Sequence, residues 1–200
     1  MSTDGTSVST VPFPLTFRVA TVKDVPIIHS LINAAFCSDK TDQVWLTPER
    51  IEVFPVSYLT TKFSEPDTVL LVALDTNAVI VACCYLRRAT ATPERPIPHG
   101  WLGTLAVTPE LHNKGVGRQL LVHAEQYIAR EWGVRRMEMN VVSSRVELRA
   151  WYKKLGYAET GHTEPFPYGS GEAEGDGERR QKILRDGLYM IDLGKDLAAA

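Results

Sequence analysis

The sequence predicts a single layered domain of mixed α/β class, and three observations support that prediction. The chain has 200 residues, a length that fits one domain with one hydrophobic core. Hydrophobic residues make up 44% of it and charged residues 23%, as in ordinary globular domains. Strand-like runs first follow one another as a hairpin and then alternate with helical patterns, which is typical of mixed α/β folds.

The chain begins with a polar segment, followed by a predicted strand and helix. Residues 1–14 start with many Ser and Thr residues and are interpreted as a flexible tail. Residues 15–20 are predicted to form a short strand. Thr21 then opens a helix, with Asp24 at the third helical position and Pro26 still within the first turn. The apolar face of this helix is predicted from residues at helical spacing, namely Ile27, Ile28, Leu31, Ile32 and Ala35.

A second helix and a strand hairpin are predicted next. Thr47 caps this helix with Pro48 at its first position, and Pro55 is expected to bend or end it. Residues 68–74 and 78–86 are β-rich runs separated by a three-residue turn, which indicates a hairpin. The second run does not alternate between apolar and polar residues, so we expect a central strand that is buried on both faces.

The second half of the chain alternates strands with helices. A loop with three prolines precedes the first of these strands. Residues 169–180 contain four glycines and four acidic residues and are interpreted as a flexible loop. The predicted strands are residues 101–107, 135–142, 157–163 and 188–193, and the predicted helices are residues 115–132 and 144–155.

Charge and composition exclude several classes of protein. The formal net charge is -2, which provides no general attraction to nucleic acid or to an anionic membrane. No apolar run approaches the roughly 20 residues of a membrane helix, and the polar start lacks a secretory signal. The three cysteines, Cys37, Cys83 and Cys84, suggest no disulfide framework. We therefore expect one cytoplasmic domain over residues 15–200, with no nucleic-acid or membrane partner and no metal site.

Residues 105–121 carry the strongest chemical signal. A strand ends there, a polar turn follows, and Gly115 and Gly117 open a helix. The start of a helix presents unpaired backbone N–H groups and the positive end of the helix dipole, which together bind phosphate. Glycines let the backbone approach a pyrophosphate closely, and Lys114 and Arg118 add positive charge beside it.

On spacing alone, this segment also fits two other interpretations. It fits a glycine-containing turn that binds nothing, and it fits a phosphate or nucleotide site built on Gly115 and Gly117 alone. It contains neither the Gly-Lys-Ser/Thr of a Walker loop nor the third glycine of a dinucleotide fingerprint, so those two motifs are excluded.

A second signal lies in the helix predicted at residues 144–155. Ser144 and Glu147 have the spacing of a capping box, and Gly156 is suited to end the helix with a positive φ. Periodicity alone favours Tyr152 as a core aromatic residue, because it shares one side of the helix with Leu148, Trp151 and Leu155.

Both segments resemble the GNAT superfamily of N-acetyltransferases. The turn and helix start are similar to its acetyl-CoA motif, Gln/Arg-x-x-Gly-x-Gly/Ala after a Leu-x-Val strand, with His112 at the first position. Tyr-x-x-Leu-Gly-Tyr, which begins at Tyr152, is similar to the family's catalytic helix. Arg145 stands where Asn is common, and Arg-x-Glu-Leu together with Pro-Phe-Pro at residues 165–167 resembles one subgroup of the family.

The resemblance implies a fold and a cosubstrate. The fold is a mixed, mostly antiparallel sheet of about six to seven strands, splayed between the fourth and fifth and flanked by about four helices. The fourth strand carries a bulge whose free backbone groups face the pantetheine arm and the acetyl carbonyl, and dimers are common in the family. The residues implied to bind acetyl-CoA are Leu105, Ala106, Val107, His112, Asn113, Lys114, Gly115, Val116, Gly117, Arg118, Asn140 and Arg145.

The implied reaction moves the acetyl group of acetyl-CoA to a small-molecule amine by direct attack in a ternary complex. Tyr152 is the implied acid: an alkyl thiol has a pKa of about 8.5 and a tyrosine about 10, so a phenol can protonate the departing sulfur at neutral pH. Acyl transfer through Cys83 or Cys84 is disfavoured, because a central strand buries both thiols.

Two questions stay open at this point. The general base is not fixed by the sequence, and His99, His162, Glu164 and a water relay are the candidates. Because His112 and Arg145 depart from the usual pattern, the alternative function is a non-catalytic acyl-CoA-binding or regulatory module on the same fold.

Overall fold

The structure, a computed structural model, describes residues 13–38, 56–93, 95–166 and 186–198. Several predictions lie outside these residues: most of the polar tail, the helix start at Thr47 and Pro48, the effect of Pro55, and the acidic loop at residues 169–180. Crossing a membrane would require a longer and more apolar helix than any found among the described residues.

A seven-stranded sheet forms the centre of the described fold, in the order β1-β2-β3-β4-β5-β7-β6. Neighbouring strands are antiparallel except β4 and β5, which are parallel. The predicted mixed, mostly antiparallel sheet is therefore confirmed. The strands are β1 Thr16–Val19, β2 Thr68–Leu74, β3 Ile80–Ala89, β4 His99–Val107, β5 Arg136–Val142, β6 Ala158–Pro165 and β7 Tyr189–Asp196.

Four α-helices in the described residues pack on this sheet: α1 Val25–Ser38, α2 Val56–Ser64, α3 Val116–Glu131 and α4 Val146–Lys154. We call the side covered by α3 and α4 the α3 face, and the side covered by α1 and α2 the α1 face. The core of the α3 face includes Leu120, Leu121, Ala124 and Ile128, and the core of the α1 face includes Ile28, Ile32, Val72 and Cys83.

The hairpin of β2 and β3 and the burial of β3 are confirmed. Residues Ile80 to Cys84 are all buried, because α1 covers one side of this strand and α3 the other. On α1 the predicted apolar face is correct except for Ile27, which is 51% exposed. Helical spacing alone cannot distinguish the edge of an apolar stripe from its centre.

The start of the first helix follows the prediction. Thr21 is the N-cap of a 3-10 turn, Val22–Asp24, that leads into α1. The Asp24 carboxylate accepts a hydrogen bond from the Thr21 backbone N–H at 2.7 Å and two from the Arg18 guanidinium at 2.7 and 2.9 Å. The Arg18 hydrogen bonds lower the pKa of Asp24 most, and that carboxyl stays ionised.

The capping box predicted for α4 is wrong. The helix begins at Val146 after Arg145, and no described side chain caps it. A tight turn closes this end, in which the Val146 backbone N–H donates to the Ser144 carbonyl at 3.0 Å. The Ser144 hydroxyl is buried and forms no hydrogen bond with a described residue. The predicted end is confirmed, because Gly156 has φ +92° and the Tyr157 N–H bonds the Tyr152 carbonyl in a Schellman motif.

β4 and β5 pair only at their beginnings. Their ladder has two pairs, Gly100 with Met137 and Trp101 with Glu138, after which the described strands are no longer paired. The predicted splay between the fourth and fifth strands is therefore confirmed. It opens toward the end of β4, where α3 follows.

Candidate functional site

A β-bulge interrupts β4 beside the splay. Cys83 and Tyr85 of β3, two residues apart, pair with Ala106 and Gly103 of β4, which are three apart. The extra residue adopts a left-handed backbone at Thr104, with φ +42°. A bulge leaves backbone groups out of the ladder and turns them in a new direction. The end of β4 thus presents main-chain groups to the gap between β4 and β5.

The N-terminus of α3 lies directly after this strand and is left without a side-chain cap. Its N-cap residue is Gly115, with φ +79°, and apart from its chain neighbours no described residue has an atom within 4 Å of the position that a Cβ would take there. A left-handed backbone of this kind favours glycine. The first N–H groups of a 16-residue helix are therefore open to an anionic group from outside. The sequence missed a short 3-10 turn, Pro109–Leu111, in this loop.

Three elements meet at Gly117. A Cβ built on this residue would lie 3.4 Å from the Val107 side chain and 4.0 Å from the Trp151 ring. The end of β4, the first turn of α3 and the middle of α4 are thus in contact. Lys114 and Arg118 are exposed on either side of the glycines, so two cations flank the helix start.

His112 holds the turn to the strand. Its Nε2 lies 2.8 Å from the Val107 carbonyl oxygen, and because a carbonyl only accepts, Nε2 donates this bond. The imidazole therefore fixes the distance between the end of β4 and the loop before α3. This contact lies within the protein, and contact of His112 with a cofactor stays a prediction.

Tyr152 lies in the core of the α3 face and is 5% exposed. Its ring packs edge-on against Trp151 at 4.8 Å and Tyr157 at 5.6 Å. Burial first, and then the nearby Cys84 thiol, raises the pKa of Tyr152, while Arg145 acts in the opposite direction. Among the described residues, none forms a hydrogen bond with its hydroxyl. The phenol is therefore protonated at neutral pH and free to donate.

The other residues implied to bind acetyl-CoA differ in what they can offer. Val116 and Ala106 are 0% and 2% exposed, so only their backbones can reach a ligand. Leu105 is half-buried and packs against the α3-face core. Asn113 is exposed and has φ +62°, a left-handed conformation that Asn tolerates.

Two further candidates lie on the far side of the splay. Asn140 belongs to β5 and is half-buried, and Arg145 is the residue before α4. Arg145 is close enough to Tyr152 to affect its pKa. β5 and α4 thus border one side of the gap between β4 and β5, and residues 105–107 at the end of β4 border the other.

The two described cysteines are unsuited to carry an acyl group. Cys83 and Cys84 are each 1% exposed. Burial raises the pKa of Cys83 to about 12 and moves that of Cys84 upward as well. Neutral, enclosed thiols are poor nucleophiles. The side chain of Cys37 lies outside the described residues.

A cavity lies on the α1 face beside the bulge. It is small and combines apolar walls with the polar side chains of Lys62 and Thr104. Tyr85 donates a hydrogen bond to Glu65 at 3.1 Å at its edge. The remaining lining residues are Ile32, Leu59, Leu70, Cys83, Cys84 and Tyr85.

The three candidate bases are found in different surroundings. His99 is 2% exposed and its Nδ1 lies 3.0 Å from the Ile97 carbonyl, so it is enclosed by protein. His162 and Glu164 lie together on β6, where they meet two residues that sequence reasoning missed, Arg95 and Asp192. The available signal for Asp192 was an acidic residue in the middle of an apolar strand, which is rare without a partner.

A comparison with sequence models of protein families assigns the chain to one family. A sequence model described as the acetyltransferase (GNAT) family matches residues 36–157. A comparison with curated proteins finds no significant match. Among solved structures, a GNAT family acetyltransferase from Elizabethkingia anophelis with acetyl-CoA bound has a TM-score of 0.61 at 18% identity, and the alignment covers 92% of this chain and 98% of that one.

Two further structures show the same fold. The ribosomal-protein-S18-alanine N-acetyltransferase from Escherichia coli has a TM-score of 0.62 at 14% identity, covering 94% of this chain and 96% of that one. The IAA acetyltransferase from Bacillus cereus has a TM-score of 0.59 at 19% identity, covering 92% and 100%. At these identities the likeness concerns the fold.

Proposed function

Because the chain belongs to the GNAT acetyltransferase family, we propose that it moves the acetyl group of acetyl-CoA to the amine of a small molecule by direct attack in a ternary complex. Acetyl-CoA is the cosubstrate that a solved member of the family holds. The observation that carries the proposal is the meeting of the bulged end of β4, the uncapped start of α3 and the middle of α4 around Gly117.

In this proposal the start of α3 binds the pyrophosphate of CoA. Backbone N–H groups and the helix dipole favour an anion there, and the exposed Lys114 and Arg118 add charge. The space over Gly115 lets the phosphate oxygens approach the main chain. The pantetheine arm then runs along the end of β4, on the side where β5 has separated from it.

The chemical step needs an oxyanion site and an acid. The amine nitrogen attacks the thioester carbonyl, and backbone N–H groups near Ala106 and Val107 stabilise the oxyanion, a role worth about 3 kcal/mol per donor. The carbon–sulfur bond then breaks, and Tyr152 protonates the thiolate. Burial keeps the phenol protonated at neutral pH, so Tyr152 has a proton to donate when the sulfur departs.

Several finer assignments belong to the same proposal and stay predictions. They are the subgroup with Arg-x-Glu-Leu before the catalytic-helix tyrosine, a cytoplasmic location, a homodimer, and the absence of nucleic-acid and membrane partners. The residues proposed to bind acetyl-CoA are those at positions 105–107, 112–118, 140 and 145.

Release of free thiol from acetyl-CoA in the presence of a panel of primary amines tests the proposal. We expect turnover with at least one amine, and a Tyr152→Phe variant that is slower by tenfold or more, equivalent to about 1.4 kcal/mol. Tyr157→Phe is the matched control, because the Tyr157 hydroxyl already donates to Glu125 at 2.9 Å. Its rate should stay within about threefold of the parent.

Other outcomes separate the competing functions. Absence of CoA and acetyl-CoA binding in calorimetry would refute the proposal. Binding of CoA without turnover on any amine, and with a Tyr152→Phe variant that behaves like the parent, would identify a non-catalytic acyl-CoA-binding module. Thermal protection by ATP but not by CoA would instead indicate a phosphate site.

A further inference from the structure

A group of charged side chains on the α1 face lies next to the splay. We call it the Asp192 cluster; its members are Arg95, Glu138, His162, Glu164 and Asp192. Asp192 of β7 is in register with Asn140 of β5, and Glu138 is in register with Trp101 of β4. Successive side chains of a strand point to opposite faces of the sheet. The residues that flank Glu138 and Asp192 belong to the α3-face core, so Glu138 and Asp192 lie on the α1 face. The flanking residues are Met137, Met139, Ile191 and Leu193.

Asp192 is the centre of this cluster and is 1% exposed. Its Oδ2 accepts hydrogen bonds from Arg95 at 2.5 Å and from His162 at 2.9 Å. Its Oδ1 is buried and receives no hydrogen bond from any described residue. Desolvation of a carboxylate is costly unless donors compensate it, so the carboxylate retains capacity to accept a further N–H.

His162 is brought to this carboxylate by a bulge in β6. Glu159 and Thr163 pair with Leu193 and Ile191, so two extra residues are inserted in β6. Gly161 in this insertion has φ +86°. Bulges beside functional sites commonly redirect a side chain. Here the insertion leaves the His162 side chain 44% exposed while its Nδ1 contacts buried Asp192.

The hydrogen bond to Asp192 fixes which imidazole nitrogen can take a proton. A carboxylate accepts, so His162 Nδ1 carries the hydrogen and Nε2 keeps its lone pair. An anion behind Nδ1 also stabilises the imidazolium that forms when Nε2 is protonated. The other candidates are less available to a substrate. Glu164 is held by Arg95 at 2.8 Å, and His99 is 2% exposed, with Nδ1 at the Ile97 carbonyl and Nε2 3.8 Å from Glu138.

The charges around His162 come from the loop before β4 and from β5, β6 and β7. Arg95 lies in the loop before β4, with Nη2 3.5 Å from His162 Nδ1, and its guanidinium stacks on Trp101 at 4.9 Å. Glu164 is on β6 and Asp192 on β7. Glu138 of β5 is neutralised by Arg136 at 2.5 Å. With neutral imidazole, the two carboxylates of Glu164 and Asp192 exceed the single charge of Arg95, which favours a cationic ligand.

We infer that His162, held by Asp192, is the proton acceptor for a primary alkylamine substrate that is protonated at neutral pH. The inference rests on the proposed acetyl transfer. The alkylammonium gives one proton to His162 Nε2, and the neutral amine forms the C–N bond. The C–S bond breaks, the thiolate takes a proton from Tyr152, and the N-protonated amide returns a proton to the tyrosinate. His162 finally releases its proton to water.

Two acceptors distinguish this role from a structural one. The first is the primary alkylamine that the parent enzyme acetylates best, and the second is its analogue with fluorines beside the amino carbon, which is neutral at pH 7. We expect His162→Gln to lower kcat/KM for the alkylamine by about a hundredfold at pH 7, and for the neutral analogue by less than about fivefold. The variant's kcat/KM for the alkylamine should rise about tenfold per pH unit toward the amine's own pKa.

Asp192→Asn tests the positioning part independently. Without the carboxylate, Nδ1 is no longer held as the hydrogen-bearing nitrogen, so kcat/KM for the alkylamine should fall at least tenfold, and for the neutral analogue by less than about fivefold. His123→Gln is the matched control, because His123 stacks on Phe17 at 4.5 Å on α3, outside the cluster. Thermal melting of each variant checks that it folds.

The outcomes separate the inference from the function on which it rests. Equal losses of His162→Gln on both acceptors, or no loss on either, would overturn the inference while acetyl transfer stands. Equal losses of Asp192→Asn on both acceptors, or no loss on either, would overturn the positioning role. If the parent acetylates no amine, the proposed function itself fails.

Discussion

The proposed CoA-binding segment, residues 105–121, which we call the donor end, and the Asp192 cluster are built in opposite ways. The proposed CoA-binding segment is continuous, from the bulge at Thr104 through Gly115 to the first turns of α3. The Asp192 cluster is discontinuous: the hydrogen bond between Arg95 and Asp192 joins residues 97 positions apart. A strand–turn–helix carries its chemistry in local spacing, whereas the cluster exists only after β7 has inserted between β5 and β6.

The two regions also differ in how their charges are satisfied. At the start of α3 the N–H groups lack a side-chain cap and Lys114 and Arg118 are exposed, so their electrostatic partner is to come from a ligand. In the Asp192 cluster the charged groups are partnered within the protein, mainly through Arg95. Mutations at the donor end should therefore weaken CoA binding, whereas removal of Arg95 from the cluster should lower the free energy of unfolding.

The largest effect is expected from Arg95→Met. The substitution removes the guanidinium that pairs with the carboxylates of Asp192 and Glu164. Breaking a largely buried ion pair lowers the free energy of unfolding by about 3 kcal/mol. Urea unfolding at pH 7.5 measures this loss, and calorimetry should find CoA affinity unchanged.

Arg149→Met is the control for this variant. Arg149 pairs with Glu159, which is 57% exposed, so the expected loss is below about 1 kcal/mol. Equal losses for the two arginine variants would contradict the difference between the cluster and an ordinary surface ion pair. A weaker affinity for CoA in Arg95→Met would show that the two regions are coupled.

Two alanine substitutions separate binding from stability at the donor end. Gly115→Ala places a Cβ on a backbone with φ +79° and should lower stability by about 1 kcal/mol. Gly117→Ala meets only ordinary contacts inside a helix and should raise stability by up to about 1 kcal/mol.

Both glycine variants should bind CoA at least tenfold more weakly in calorimetry, because either methyl group keeps a pyrophosphate from the backbone. Thermal melting without ligand gives the two stability changes. A Gly117→Ala variant that retains full CoA affinity would show that the pyrophosphate does not approach this turn.

Two buried aspartates should respond to pH with opposite signs. The pKa of Asp24 is lowered by Arg18, so its stabilisation is present above the unfolded value of about 3.9 and is lost as pH falls. The pKa of Asp192 is raised by burial, so its contribution is fully present at low pH and is lost as pH rises through the folded value.

Unfolding free energies of the parent, Asp24→Asn and Asp192→Asn at pH 3 to 8 test these signs. Between pH 4 and 8 the parent should become less stable relative to Asp192→Asn. Between pH 4 and 3 it should lose stability relative to Asp24→Asn. The Asp24 change should be about 1 kcal/mol, discounted for the water that screens half-exposed Arg18. If stability relative to each variant changed with pH in the same direction for both aspartates, the raised pKa of Asp192 would be refuted.

The smallest effect is expected at Ser144. A true N-cap serine contributes about 1 kcal/mol, but the Ser144 hydroxyl is buried and has no hydrogen-bond partner in the described part of the chain. Ser144→Ala should therefore change stability by less than about 0.5 kcal/mol, or raise it, in a chemical unfolding curve. A loss near 1 kcal/mol would restore the capping box that the sequence predicted.

Much of the fold could be predicted because its elements are marked locally. Thr21 opens the first helix, Gly156 ends the last, and the buried run of β3 identified a central strand. The capping box at Ser144 could not be judged from spacing, since a tight turn before the helix replaced the expected side-chain contact. The proposed role of Tyr152 as the acid came from a family motif, because helical spacing alone indicates a core residue when a tyrosine lies on an apolar helix face.

Among the candidate bases, the sequence named His162 and Glu164 but gave no reason to prefer either. Their partner Asp192 had no motif, and Arg95 belonged to a proline-containing loop without regular structure. The bulge with Gly161 that presents His162 depends on pairing with β7, which lies later in the chain.

By itself, then, the sequence determined the local structure of the segment proposed to bind CoA. A strand end, two glycines and a helix start lie within 17 consecutive residues, and helix geometry fixes how they are arranged in space. The tertiary structure decided the splay beside them and the meeting of Arg95, His162 and Asp192. Those features depend on strand order and register, which arise from contacts between distant segments, and local spacing contains no record of them.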